Sequence, residues 1–195
     1  MTGQRWLLPV VLIGLSGMGC AGSVSHMSAV PNVNLTMGAN ESVIVFMRPS
    51  GMAFGVQSSV FEAASGQPAR LVGIVAAKKK VAYRTSPGEH TFMVIGESAD
   101  FMQARLEPGK TYYALVTPRM GAWKARFSLR PVHVVDRAEL AEWQQGTSWV
   151  ELNQESAQWA TENTADVEEK RTKYFAEWMT KAPADRPLLL AEDGQ

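Results

Sequence analysis

The sequence predicts a mainly β protein: a small antiparallel β-sandwich of about eight strands, followed by a C-terminal α-helical extension. Three observations carry this expectation. Between residues 41 and 132, short apolar runs recur at close spacing with no helical period among them. Two turns in that stretch, Ser86-Pro87-Gly88-Glu89 and Glu107-Pro108-Gly109-Lys110, place Pro directly before Gly. Proline fixes φ at the second position of a type II turn, and glycine accepts the positive φ of the third. After Pro131 the composition shifts, and apolar residues fall largely at helical spacing.

The strands are expected in order. Val43–Met47 is apolar on both faces, as a central strand would be. Phe54–Phe61 and Arg70–Val75 follow, each flanked by Gly or Ser, and then Val81–Arg84, after the run Lys78-Lys79-Lys80. Thr91–Ile95, Phe101–Leu106 and Tyr112–Thr117 continue the series. The clearest strand is Trp123–Arg130. There Trp123, Ala125, Phe127 and Leu129 alternate with Lys124, Arg126, Ser128 and Arg130, one face for a core and one for water.

The helical part opens with Asp136-Arg-Ala-Glu139, which has the form of a capping box, and Gly146 can end that helix. Ser148-Trp-Val-Glu151 has the same form and predicts a second helix. Its apolar residues Leu152, Trp159, Val167, Tyr174 and Trp178 carry it to about Lys181, before Pro183 stops it. Asp166 with Lys170 and Glu169 with Lys173 are i,i+4 pairs with the acid first, the favourable order. Residues 183–195 read as a frayed tail.

Over 195 residues, 19 Lys and Arg balance 19 Asp and Glu. Neutrality argues against a general nucleic-acid binder. A single cysteine excludes an internal disulfide and a Cys-rich zinc site, and three histidines leave little for a metal centre. No cofactor is expected. The charge is unevenly spread. Residues 41–132 hold 12 bases and six acids, a balance of +6, whereas residues 133–195 hold six bases and 13 acids, a balance of −7. Two readings follow. The acidic helices dock on the basic module, covering Trp143, Trp149, Trp159 and Trp178. Alternatively, the basic face meets an anionic partner, with Lys78, Lys79, Lys80, Lys124, Arg126 and Arg130 as its candidate anion-binding residues. For the triple lysine the plainer reading is a solvated hairpin tip. For the strand residues it is a charged face that discourages edge pairing.

The N-terminus reads as an address. Residues 1–19 form a secretory signal: Arg5 gives a minimal positive start, and Trp6–Leu15 is too short for the roughly 20 residues a spanning helix needs. The run Leu15-Ser-Gly-Met-Gly19-Cys20 resembles a bacterial lipobox, with Gly17 standing where that pattern usually has Leu. The resemblance implies a diacylglyceryl thioether on Cys20, cleavage before it, and acylation of the new amine. Ala21 in place of Asp implies the outer membrane. The alternative is an ordinary cleaved signal with an incidental cysteine. Residues 20–40 would be the lipidated N-terminus and a flexible linker without a charged residue.

The strand Val45-Phe-Met-Arg48-Pro49-Ser50, the turn Pro87-Gly88-Glu-His90-Thr91 and the segment Gly109-Lys-Thr-Tyr112-Tyr113 resemble, in order and spacing, a family of uncharacterised bacterial envelope lipoproteins, domain of unknown function 2846. The resemblance covers Glu41–Val132. The family's usual central Asp-Gly turn is replaced here by Ala76-Ala-Lys-Lys-Lys80. It implies a small all-β periplasmic module and no chemistry.

Catalytic candidates are sparse. A nucleophilic hydrolase needs a positioned Ser or Cys, a base and an orienting acid. The string nearest to a nucleophile elbow, Gly14-Leu-Ser16-Gly17, lies in the signal, which leaves His90 and His133 as the bases of a least-favoured hydrolase reading. The expectation is therefore a lipid-anchored protein of the bacterial envelope, on the outer membrane and facing the periplasm. It would act as a non-catalytic interaction or structural module, with the membrane and an envelope protein as partners. The alternative is a binding module for an anionic envelope ligand: a phospholipid or lipopolysaccharide headgroup, or an acidic protein.

Overall fold

The computed structural model describes residues 26–120 and 125–195. The signal segment, Cys20, Trp123 and Lys124 lie outside the described residues. The chain is mainly β with a C-terminal helical part, as expected. It differs in detail: the described residues form eleven strands in two mixed sheets, not about eight antiparallel ones.

The strands are β1 (Met27–Ala29), β2 (Ser42–Arg48), β3 (Ser58–Glu62), β4 (Arg70–Val75), β5 (Lys79–Thr85), β6 (Gly88–Ile95), β7 (Ala99–Leu106), β8 (Thr111–Arg119), β9 (Arg126–Pro131), β10 (Ser148–Leu152) and β11 (Leu188–Leu189). One sheet has the order β1-β10-β5-β2-β8-β9, the other β11-β7-β6-β3-β4. Three pairs are parallel: β2 with β8, β10 with β5 and β11 with β7. Each joins strands far apart in sequence, where no tight hairpin constrains direction.

The sheets face each other across one core. Ile44, Phe46, Tyr112 and Phe127 from the first meet Val60, Phe92, Val94 and Met102 from the second. The outer face of each sheet is also apolar and also covered. Val43, Val45, Met47, Tyr113 and Leu115 lie beneath Leu140 and Trp143 of α1 (Arg137–Gln145), with Leu35 and Met37. Phe61, Met93, Ile95 and Phe101 lie beneath Val167, Tyr174 and Trp178 of α3 (Thr164–Met179), with Trp159 of α2 (Gln154–Glu162). Covering both faces of β2 accounts for its reading as a central strand: all seven of its residues are buried. Among the described residues the three apolar clusters run from Met27 to Leu189 and join both sheets and the helices into one body.

Several expectations are corrected. Of the expected linker, residues 26–40 are seated. β1 pairs with β10, Met27 is buried, and the Arg84 guanidinium donates to the carbonyls of Thr36 (2.7 Å) and Asn34. Residues 54–57 are not strand; β3 begins at Ser58. The segment before β5 is not a hairpin tip, because β4 and β5 belong to different sheets and the chain crosses between them there, with Lys78 at φ 61°. Ser148–Leu152 is a strand and caps no helix. Asn153 caps α2 instead, accepting from the Ser156 N–H at 2.9 Å. The expected long helix is two, broken at Asn163. Asp136 makes no side-chain cap for α1, and its carboxylate accepts from the His133 N–H at 2.9 Å. The tail is packed: Leu189 and Asp193 are buried, and the Gln195 N–H donates to the Thr111 carbonyl at 3.0 Å. Gly109, at φ 73°, takes the positive φ the turn requires. In β9 the alternation holds, with Phe127 and Leu129 buried between Arg126, Ser128 and Arg130.

Candidate functional site

Cys20 lies outside the described residues, six positions before His26. Of the basic candidates within the described residues, one is buried and several have partners of their own. Lys80 is buried at the start of β5. Its ammonium donates to the Gln144 carbonyl (2.5 Å) and lies 4.6 Å from the Trp149 ring, and burial pulls its pKa below the usual lysine value. It is a lock between α1, β10 and the sheet. Lys79 donates to the Ser148 hydroxyl at 2.9 Å. Lys78 is exposed. On β9, Arg126 pairs with Glu97 (3.0 Å). Arg130 pairs with Asp136 (3.3 Å) and lies over Trp143. Lys124 lies outside the described residues. The helices do dock on the β body, through buried aromatic and aliphatic side chains. Among the described residues the ion pairs that join residues 41–132 to residues 133–195 are Arg130 with Asp136 and Lys181 with Asp100, so apolar burial rather than the charge asymmetry supplies most of the contact.

The two histidines have different surroundings. His90 sits on β6 with both ring nitrogens against oxygen acceptors: Nδ1 is 2.5 Å from Glu62 Oε1, and Nε2 is 2.9 Å from the Ser86 carbonyl. The other Glu62 oxygen accepts from the Tyr83 hydroxyl at 2.5 Å. Burial, then the hydrogen bond and charge of Glu62, push the Tyr83 phenol well above its usual pKa. With both nitrogens occupied, the ring has none left to take a proton from a substrate. Its edge borders a shallow cavity of about 290 Å³ also lined by Ser65, Thr91, Gln103 and Arg105. His133 Nδ1 lies 2.8 Å from the acceptor Asp193 Oδ2, and the other Asp193 oxygen accepts the Val134 N–H at 3.0 Å. The residues lining the cavity beside His133 include Arg130, Pro183, Arg186 and Leu190 and no Ser, Thr or Cys. Among the described residues the ring partners of the two histidines are carboxylates and a backbone carbonyl, and no hydroxyl or thiol.

The arrangement that sequence reasoning missed is built on Arg48. This last residue of β2 has no solvent exposure, yet carries a guanidinium without a carboxylate partner among the described residues. It is solvated by carbonyls instead. Nη2 donates to Met52 (2.8 Å) and Ala53 (2.7 Å), Nη1 donates to Val56 (2.6 Å), and the plane lies 4.8 Å from the centre of the Phe127 ring. Burial lowers its pKa from the usual arginine value. These bonds wrap residues 49–57 around the guanidinium and hold Ala53 in the left-handed region at φ 53°, which costs on the order of 1–2 kcal/mol for a non-glycine residue. The loop's carbonyls point inward and its side chains outward. Met52, Phe54 and Val56 are exposed. The motif Arg48-Pro49 was the one available signal. A buried arginine is unexpected from composition, and only the three-dimensional ring of carbonyls explains it.

No family model matches the chain, and none of the curated proteins does. The resemblance over Glu41–Val132 therefore rests on its three motifs alone. In the structure each of these serves the scaffold. Arg48 holds the loop, His90 joins Glu62, and the Tyr112 hydroxyl accepts the Glu107 N–H at 2.8 Å and donates to the Ala191 carbonyl at 3.2 Å.

Proposed function

We propose that the protein is a lipoprotein of the bacterial envelope, attached through Cys20 on the periplasmic side of the outer membrane. Its helix-covered β body then acts as a non-catalytic interaction or structural module. The observation that carries this reading is the position of Cys20. It stands directly behind an apolar leader and a small residue, six positions before the first described residue. A thiol there is what thioether formation requires. Two or three acyl chains would anchor firmly, at about 0.8 kcal/mol per buried methylene. The basic-face alternative is weakened by the internal partners of Lys80, Arg126 and Arg130.

The test is mass spectrometry of the mature N-terminal peptide together with fractionation of a Cys20→Ser variant. A diacylglyceryl-modified Cys20, and release of the variant into the soluble fraction, are the expected results. An unmodified thiol, or unchanged membrane retention of the variant, refutes the anchor.

A further inference from the structure

The end of the body organised by Arg48 presents apolar side chains that the fold actively holds in water. Phe54 is 76% exposed and Met52 55%, at the tip of a loop whose backbone is pinned by a buried cation and strained at Ala53. Met120, 88% exposed, follows β8 at the same end: Arg119 pairs across the sheet with Arg126, next to the Phe127 ring that Arg48 covers. A loop left to itself would fold such side chains inward. Here its carbonyls are committed to Arg48, and the side chains cannot follow.

Bases surround this tip. The Lys78 N–H donates to the Arg48 carbonyl, which places an exposed lysine at the base of the loop. Arg119 and Arg126 flank the β8–β9 connection, and Lys181 reaches the same end through Asp100. Glu97 and Asp100 neutralise part of this charge, pairing with Arg126 and with Arg119 and Lys181. Apolar side chains on a protruding tip with a cationic rim are the pattern of a segment that enters the headgroup boundary of an anionic bilayer.

We infer that this end is a bilayer-seating surface: Phe54 and Met52 enter the interface of an anionic membrane while Lys78 and Arg119 face its phosphates. The start of the body supports the orientation. His26 and Gln57, the residue after the loop's apolar stretch, line the same small cavity of about 50 Å³. The six positions from Cys20 to His26 span at most about 20 Å when extended. This last point rests on the lipid-anchor reading, under which the tip is held within reach of the leaflet; the charge and exposure of the tip do not.

The experiment uses residues 26–195, which contain every core residue among the described residues and lack Cys20, so acylation plays no part. Sedimentation with vesicles of phosphatidylethanolamine and phosphatidylglycerol should show binding that weakens with salt and is much lower on phosphatidylcholine alone. Phe54→Asp should reduce it at least about tenfold with thermal unfolding unchanged, since an apolar ring entering the interface is replaced by a like-charged group. Phe54→Ser serves as the second variant should Phe54→Asp unfold. The inference is overturned if the wild-type body does not sediment with anionic vesicles, or if both variants bind equally well. It is also overturned if the variants abolish a dimer seen without lipid, since the tip would then belong to a contact between copies. Such a failure leaves the Cys20 result standing, and an unmodified Cys20 leaves the vesicle result standing.

Discussion

Arg48 shows how one side chain can set a surface it never reaches. Its charge stays buried because three carbonyls of residues 52–56 and the face of Phe127 replace water around it. Removing the guanidinium orphans these carbonyls and opens a cavity at once. Arg48→Ala should therefore lose about 3 kcal/mol of unfolding free energy in urea titration. Arg48→Lys, which keeps the charge and not the planar fork, should recover only part of it. At this scale the sequence was legible in one direction. His90 and Arg48 stood out as motif residues, but residue type and spacing do not report that both nitrogens of the imidazole are occupied. Nor do they report that the arginine faces carbonyls and not a ligand. Lys80 misled for the same reason: in a run of three lysines nothing marks the one that is buried against Trp149.

Among the elements, α3 makes the clearest packing contribution. Trp178 is 2% exposed, its ring centre 6.0 Å from that of Phe101 and 5.9 Å from that of Phe175. Trp178→Ala should lose about 3–5 kcal/mol, measured as a lower denaturation midpoint, because removing a large buried ring leaves a cavity between α3 and the sheet. Strands with an apolar run were read nearly to the residue, as β4 and β2 show. Those that failed have identifiable causes. Ser148–Leu152 carries the residues of a capping box, but its backbone is taken up by β1 and β5, and pairing on both sides outweighs a local helix start. Met27–Ala29 and Leu188–Leu189 are too short to show any period. Parallel pairing was invisible because direction between distant strands leaves no local trace.

For the molecule as a whole, burial leaves its mark on alkaline stability. Three of the four tyrosines, Tyr83, Tyr112 and Tyr113, have phenols raised above the ordinary value of 10.0, in each case chiefly by burial. A folded-state pKa above the unfolded one gives stability that is complete below pH 10 and lost as pH rises toward the folded value. Lys80 acts in the opposite sense, since its lowered pKa makes the folded state bind fewer protons just below the ordinary lysine value of 10.5. Arg48, also lowered by burial, acts as Lys80 does, and Lys110, raised by its bond to Glu107, acts as the tyrosines do; four groups oppose two, and the net expectation is loss of stability above pH 10. Phenolate absorbance and circular dichroism recorded together should change in one step for these three tyrosines. A separate phenolate transition near pH 10 that involves them, with the fold intact, would count against their burial.

The seat of β1 also sets an order of events. Among the described residues its only strand neighbour is β10, so the backbone of β1 stays unpaired until Ser148–Leu152 has been made and delivered to the far side of β5. A nascent chain emerging amino end first must therefore carry its earliest strand unpaired through most of synthesis. The edge it will occupy stays open until the second half of the polypeptide arrives, which makes closure of that edge a late step and gives an escorting chaperone something to cover.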